Sequence, residues 1–333
     1  MRYKLGWITL PLLLTGLIIL ALFIGERSDA AVDTHSITIL FKLRITRILL
    51  AIFAGGVLAV VGAALQGLLQ NPLVDPYIIG TSSGAGVGVA LSVMLGWSTA
   101  LGLTPVIGHS IFGFAGALAA LFLVYALARI RGKFSRLSLI LAGVAVGFVG
   151  SGIITVLIAF ARNEGFQRLI YLLMGDVSGK WLSAPETLAL GIGGLISIAG
   201  CIWLTARWRS LDVVSTNIEA AESIGVDTQR LTVEVFLISS LLVGLVVSFV
   251  GAISFVGLIV PHIVRFIFGP RHSRVLPASF LAGAILLLAA DIILKGINLA
   301  TIDMPNPVIL PLSVVTTLVG VPVFLYLMRR RTS

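Results

Sequence analysis

The stretch GAALQGLLQNPLVDPYIIG at residues 62–80 returns in altered form as GAISFVGLIVPHIVRFIFG at residues 251–269. The positions that agree hold two glycines, one proline and three apolar residues. In the first copy they are Gly62, Ala63, Leu69, Pro72, Ile78 and Gly80. Both copies lie in long apolar surroundings, and a helix breaker at matched positions in two halves of a membrane protein is typical of transporters with inverted repeats. Chance similarity between glycine-rich apolar segments is the alternative.

The composition is that of a membrane protein. Of the 333 residues, 58% are hydrophobic and 11% are charged, and the mean hydropathy is +1.11. Soluble globular chains carry roughly 25% charged residues. The lone cysteine, Cys201, excludes a disulfide framework within the chain and a site built from several thiolates. The net charge of +9 would suggest nucleic acid as a partner of a soluble protein; here it indicates cationic loops, and we expect no nucleic-acid partner.

The apolar stretches predict an all-α polytopic membrane protein with about ten transmembrane helices and an inverted internal repeat, which we treat as one transmembrane domain over residues 1–333. The eighth crossing is expected to be short and interrupted. The first run is long enough to span the bilayer. A cleaved signal peptide is its alternative, because Ser28-Asp29-Ala30 resembles a cleavage site. The predicted helices lie near residues 5–24, 46–69, 77–96, 109–128, 137–160, 186–206, 230–250, 254–268, 275–296 and 309–328.

The distribution of positive charge indicates the orientation. Ten crossings place both termini on one side, and with cytoplasmic termini about two thirds of the 23 lysines and arginines fall in inner loops. In this orientation the first copy of the repeat ends an inward-running helix and the second ends an outward-running helix. The halves 44–160 and 229–328 are therefore predicted to be inverted, with a translocation path between them. The cations left outside are Arg27, Lys42, Arg44, Arg47, Arg162, Arg168, Lys180 and Lys295.

Several kinds of site are missing from the sequence. There is no G-x-x-x-x-G-K-[ST] phosphate loop, so the chain does not hydrolyse ATP by that route. Ion-coupled secondary transporters and intramembrane enzymes need polar or acidic groups at mid-membrane depth, but only Glu234 and Asp291 enter predicted helices, each by about one turn. Both classes stay open as disfavoured alternatives. The histidines lack metal-ligand spacing, and His262 beside Pro261 suggests a structural role at a helix break.

At this point the motifs carry a resemblance to a known family. Arg44-Ile45-Thr46-Arg47 and the stretch 55–88 resemble the permeases of ATP-binding-cassette (ABC) importers for iron–siderophores, haem and cobalamin. In that family an R-x-x-R pair precedes the signature G-A-x-x-Q-x-x-x-x-N-P-L-x-x-P-x-x-x-G-x-x-x-G-A, which is matched here from Gly62 to Ala85. The resemblance covers nearly the whole chain. Further matches are GAISFVGLIVPHIVR (251–265), GPRHSRVLPASFLAGA (269–284), Ala290-Asp291 and LVGVPVFLYLM (318–328).

The resemblance implies a transport subunit rather than an enzyme. Two copies would form a homodimeric pore in the lipid bilayer of a prokaryotic cytoplasmic membrane, with both termini cytoplasmic. Two cytoplasmic ATPase subunits would consume ATP, and an extracytoplasmic binding protein would deliver a metal chelate. The permease chain itself would bind no cofactor. An iron–siderophore is the first expectation for the substrate, and cobalamin or haem are the alternatives.

The resemblance also assigns two docking regions. Arg44, Arg47 and Lys295 match cations that bind acidic side chains of the binding protein; anchoring at lipid headgroups is the alternative. Residues 212–225 match the segment that couples to the ATPase, with an ordinary solvated loop as the alternative. In this segment Ser215 is expected to cap a short polar helix with a solvated acidic face. The coupling residues are Asp212, Ser215, Glu219, Ala220, Glu222 and Gly225.

The expected translocation path combines the two helix breaks with the fifth helix, 137–160, at the dimer axis. Some positions depart from the family pattern. Lys295 replaces an arginine, Ile309 and Ser313 replace a glutamate and a glycine before the last helix, and Thr216-Asn217-Ile218 replaces L-G-E. These departures concern docking details rather than the class. The residues assigned to the path or the breaks are Gln66, Asn71, Pro72, Gly80, Gly84, Gly257, Pro261 and His262.

Overall fold

The computed structural model describes residues 2–24, 34–130, 133–161, 173–178, 183–301 and 310–329. These residues form an all-α protein, as predicted, with a 3-10 helix at Pro76–Ile79 and a minute hairpin in which β1 (Arg129–Ile130) pairs with β2 (Lys133–Phe134). Arg27, Arg162, Arg168, Lys180 and Ile309 lie outside the described residues. The helices are α1 Arg2–Phe23, α2 Thr34–Leu68, α3 Thr81–Leu95, α4 Trp97–Ala100, α5 Pro105–Ala128, α6 Arg136–Phe160, α7 Ala184–Ala206, α8 Trp208–Thr216, α9 Ile218–Ser223, α10 Thr228–Val250, α11 Val256–Phe268, α12 His272–Ala300 and α13 Leu312–Arg329.

Ten of these helices are apolar and correspond one by one to the ten predicted crossings. Seven are long and apolar enough to cross a membrane, and α3, α11 and α13 are shorter. The 13 residues of α11 extend only about 20 Å, less than the ~30 Å hydrocarbon core, which confirms the short eighth crossing. The predicted polytopic membrane architecture is confirmed.

Helix α2 is the centre of the described structure. Its apolar window is 83% buried, and it packs against α10, α11 and α12. Small residues permit this packing, because a Cβ on Gly55 of α2 would lie 2.2 Å from the carbonyl oxygen of Gly283 in α12. Helices in lipid associate by such close packing rather than by the hydrophobic effect.

Other helices present apolar faces to their surroundings. Helix α6 exposes Leu141, Phe148 and Val156, and alanine Cβ atoms at Gly147 and Gly152 would meet no atom of the described residues within 4 Å. Helix α1 is mostly exposed but contacts the body of the protein through Trp7, whose ring lies 5.1 Å from that of Phe268. None of the described residues covers these faces, which are therefore suited to contact with lipid or with another protein chain.

The two helix breaks are placed differently from the prediction. Helix α2 ends before Pro72, as predicted, and the chain turns there before α3 begins. In the second half the break is at 251–255, and Pro261 and His262 lie inside α11. The prediction that Pro261 marks a break was therefore wrong. Matched residues also differ in structure, since Gly62 lies within α2 whereas Gly251 ends α10.

The helices that precede the two breaks run in opposite directions. Helix α2 ends beside α8, where the Gln70 side chain donates to the Val214 carbonyl. Helix α10 instead begins beside the α7–α8 junction, because Glu234 in its second turn forms an ion pair with Arg207. This antiparallel arrangement agrees with an inverted repeat, although the boundaries 44–160 and 229–328 remain a prediction.

Candidate functional site

The two breaks contact each other directly. The Tyr77 hydroxyl accepts a hydrogen bond of 2.6 Å from the backbone N–H of Ile253. The Asp75 carboxylate caps the 3-10 helix through the N–H of Tyr77 at 2.9 Å, and it also accepts from the N–H of Phe255. Phe255 has a left-handed backbone with φ of 69°. The loop after α2 thus supplies the hydrogen-bond partners that the interrupted backbone before α11 needs.

Gln66 explains why Pro261 does not break α11. Proline has no N–H, so the carbonyl of Gly257, four residues earlier, loses its helical donor. The Gln66 side-chain nitrogen donates to that carbonyl at 3.2 Å and to the Leu258 carbonyl at 3.1 Å. Its oxygen accepts from the Arg265 guanidinium. A buried amide from the first half therefore replaces the backbone donor missing from the second half.

The predicted path residues do not share one surface of the described chain. Gln66, Gly80, Gly257 and Pro261 are buried, Asn71 is exposed, and Pro72, Gly84 and His262 are half-buried. The glycines serve close packing, since a Cβ on Gly80 would lie 2.6 Å from the Gly143 carbonyl oxygen of α6 and one on Gly84 would lie 2.5 Å from that of Gly116 in α5. Four of the eight residues therefore belong to the buried packing inside the described chain. Their part in translocation stays a prediction.

The coupling segment folds as two short helices, α8 and α9. Asn217 has an extended backbone and caps α9, because its side-chain oxygen accepts from the N–H of Ala220 at 3.1 Å. The prediction of Ser215 as the cap was wrong, since its hydroxyl donates to the Asp212 carbonyl inside α8. The solvated face is confirmed. Its exposed members are Glu219, Ala220, Glu222, Ser223, Ile224 and Gly225.

The inner face of α8 is tied to two other elements. One oxygen of the Asp212 carboxylate accepts from both the backbone N–H and the Nδ1 of His272, each at 2.7 Å. The Gln70 side chain donates to the Val214 carbonyl at 2.7 Å. Burial opposes the charged form of Asp212, but the hydrogen bonds from His272 and the nearby Arg271 outweigh it and lower the pKa of this carboxyl. No local sequence pattern indicated the Gln70 and His272 contacts.

The three predicted docking cations lie at the opposite end of α2. The Arg47 Nε donates to one oxygen of Asp291 at 2.7 Å, and the Lys295 Nζ lies 3.4 Å from the other. Arg44 donates to the Leu22 carbonyl at 2.8 Å. Asp291 is fully buried, and α12 continues to Ala300. It therefore lies about 2.5 turns from the helix end, so its predicted position one turn from the end was wrong. We call Arg44, Arg47, Asp291 and Lys295 the outer charge cluster.

The ten apolar helices and the interlocked breaks define the chain as a polytopic transport permease. It belongs to the FecCD transport family, which it matches over residues 10–330. The chain is therefore the permease subunit of an ABC transporter, and it is a multi-pass membrane protein.

Relatives with named functions cover most of this chain. It is 37% identical over 290 residues to the cobalamin import system permease protein BtuC of Halobacterium salinarum, covering 87% of this chain and 73% of that protein. It is 32% identical over 332 residues to the vitamin B12 import system permease protein BtuC of Salmonella typhi, covering 98% and 96%. A solved structure of an inward-facing, proposed metal-chelate type ABC transporter matches 98% of this chain with 28% identity and a TM-score of 0.78.

Proposed function

We propose that this chain is the membrane permease of an ABC importer for cobalamin. The observation that carries the proposal is the identity to relatives named for cobalamin or vitamin B12 import, one of them over 98% of the chain. The first sequence expectation was an iron–siderophore, and these relatives favour cobalamin instead. Both substrates are bulky chelates, so the class of transporter is the same.

The proposed assembly is a homodimer with two cytoplasmic ATPase subunits and an extracytoplasmic binding protein, in a prokaryotic cytoplasmic membrane with both termini inside. The exposed apolar face of α6 supports a second copy at this position. Open positions at Gly147 and Gly152 would let another helix approach closely. This face of α6 would also line a translocation path at the dimer axis. Its apolar side chains Leu141 and Phe148 would bind a polar chelate only weakly, so the chelate would be released.

The ATPase would dock on the exposed face of α9. Glu219, Ala220 and Glu222 lie on it, and such a short amphipathic helix fits a groove of a partner. ATP would be bound and hydrolysed only by the partner, and this chain would need no cofactor. Closure of the two ATPase subunits would then move α8 and α9 together.

The binding protein would dock at the outer charge cluster. Three cations and one carboxylate leave this cluster positive, which favours an acidic partner surface. Complementary charge of this kind mainly sets the encounter rate and the register of the complex. The exposed fraction of the Arg47 side chain, 18%, offers a limited contact there.

A substrate competition experiment tests the proposal. The purified importer is reconstituted in liposomes with its binding protein, and ATP-driven uptake of radiolabelled cyanocobalamin is measured against unlabelled cyanocobalamin, ferric siderophore or haemin. Only unlabelled cyanocobalamin should compete. If labelled cyanocobalamin were not imported but a labelled ferric siderophore were, the assignment would return to the first expectation.

A second arm tests the secondary-transporter alternative. Uptake should require ATP and should persist when ionophores remove proton and sodium gradients. Uptake that follows an ion gradient without ATP would reject the importer. The ion pairs of Asp291 with Arg47 and Lys295 support the ATP-driven mechanism, because this buried carboxylate already has two protein cations as partners.

A further inference from the structure

We propose that Asp212 and His272 form a positioning pair that transmits movement of the coupling segment to helix α12. This inference deepens the proposed function and rests on the docking of the ATPase at α9. The pair touches neither ATP nor substrate. Three hydrogen bonds that fix α8 to the rest of the permease carry the inference.

Asp212 supplies the N-terminal cap that α12 lacks. Helix α12 begins at His272, and the preceding residue, Arg271, makes no side-chain capping bond. The Asp212 carboxylate of α8 instead accepts from the first backbone N–H of α12 at 2.7 Å. A carboxylate at this position also interacts favourably with the helix dipole. The start of α12 is therefore completed by the coupling segment.

His272 connects α8 to α2 as well as to α12. Its ring is only 2% exposed, and Nδ1 lies 2.7 Å from the same Asp212 oxygen. Nε2 has no hydrogen-bond partner among the described residues and faces Gly67, where a Cβ would lie 2.3 Å away. With Nδ1 donating to Asp212, the ring packs in the space that Gly67 leaves on α2. Any shift of α8 must move this ring or break its bond.

Gln70 gives α8 a second attachment at the first helix break. Its side chain reaches the Val214 carbonyl at 2.7 Å, and its backbone has a φ of 50°, a conformation that non-glycine residues seldom adopt. The coupling segment is thus held at the start of α12 and at the loop after α2. In contrast, the face of α9 opposite these contacts is exposed and available to the ATPase.

Helix α12 reaches from this pair to the outer charge cluster. Its first residue is His272, and Asp291 follows far along the same uninterrupted helix. At 1.5 Å per residue this distance is about 29 Å, close to the thickness of the hydrocarbon core. One helix therefore joins the proposed ATPase side to the proposed binding-protein side, and the Asp212–His272 pair is its inner attachment.

The test measures substrate molecules imported per ATP hydrolysed by the complete complex in liposomes. Asp212→Ala and His272→Phe remove the bond, and we expect this ratio to fall about tenfold, within the range of measured coupling effects. Asp212→Asn keeps an acceptor oxygen, and His272→Asn places an amide N–H near the position of Nδ1. These conservative variants should stay within about threefold of the natural protein. His272→Gln places its amide near Nε2 and should fail like His272→Phe.

The outcomes separate this inference from the proposed function. An unchanged ratio in Asp212→Ala and His272→Gln, or an equal fall in the Asn variants, would overturn the positioning role. Because the ratio does not depend on the amount of folded protein, a poorly expressed His272→Phe leaves the His272→Gln result valid. Ala220→Trp on the exposed face tests docking by itself. It should abolish co-purification of the ATPase, and retention of the ATPase would contradict the docking proposal whatever the ratio.

Discussion

Replacing Gly62 by alanine tests the contact between the first half of the chain and the interrupted helix of the second half. The added Cβ would lie 2.0 Å from the Gly257 carbonyl oxygen and 2.7 Å from the Gly257 Cα. These are backbone atoms and cannot rotate away, so α2 and α11 must separate by about 1 Å or more. The same displacement would stretch the Gln66–Gly257 hydrogen bond, which is 3.2 Å long, beyond bonding distance.

The cost of this substitution combines two losses with one gain. Overpacking costs about 1–3 kcal/mol, and a buried hydrogen bond left unsatisfied costs about 1–3 kcal/mol. Alanine is better than glycine inside a helix by about 1 kcal/mol. The net loss in the free energy of unfolding should therefore be about 1–5 kcal/mol, taken from these same ranges. Thermal unfolding of the detergent-solubilised permease should show a melting temperature lower by several degrees.

Gly191→Ala is the matched control. Gly191 is also inside an apolar helix, α7, but a Cβ there would meet no atom within 4 Å in the part of the chain that the structure describes. This variant should unfold at or slightly above the temperature of the natural protein, because only the helix propensity changes. If Gly62→Ala proved as stable as Gly191→Ala, the close approach of α2 and α11 and the reasoning built on it would be refuted.

Three further predictions concern polar groups that are buried or half-buried. Gln66→Leu removes the donor to the Gly257 carbonyl and the acceptor of Arg265, and it should lower the free energy of unfolding by about 2–4 kcal/mol in the same assay. Asp291→Ala leaves Arg47 without its buried partner and should cost about 3–5 kcal/mol, whereas exposed Glu219→Ala should change stability little. The pKa of Asp212 in the folded protein is below its ordinary value of 3.8. Its contribution to stability is therefore complete above pH 3.8 and is lost as the pH falls through the lower pKa of the folded state. Acid unfolding of the natural protein should therefore be steeper than that of Asp212→Asn.

The spans could be predicted because a transmembrane helix needs a long local run of apolar residues. The helix breaks could be predicted only in part. A proline in the sequence shows that one backbone N–H donor is missing. Whether the helix breaks there depends on which other group donates to the carbonyl four residues earlier. At Pro261 the substitute is Gln66, which lies 191 residues from its acceptor Gly257 in the sequence. No local pattern contains that pairing, so Pro72 was assigned correctly and Pro261 was not.

The coupling segment shows the same limit. Its polarity indicated an exposed short helix, and α9 has that exposed face. The cap was missed because two nearby residues, Ser215 and Asn217, can each cap a helix, and only the extended backbone at Asn217 decides between them. The contact of Asp212 with His272 joins residues 60 positions apart. Hydrogen bonds of this range depend on how helices pack and are invisible in one sequence.

The structure also gives a reason for the departure at Lys295 from the arginine of the family pattern. An arginine binds a partner carboxylate through two parallel bonds, and a lysine offers only a point charge. In this protein the Lys295 side chain is 9% exposed and its Nζ faces Asp291 at 3.4 Å, so its charge is directed inward. Arg47 also binds Asp291 but remains 18% exposed. We therefore expect Arg47→Ala to slow binding-protein association measured by surface plasmon resonance more than Lys295→Ala does. An equal or larger effect of Lys295→Ala would show that the lysine turns outward when the partner binds.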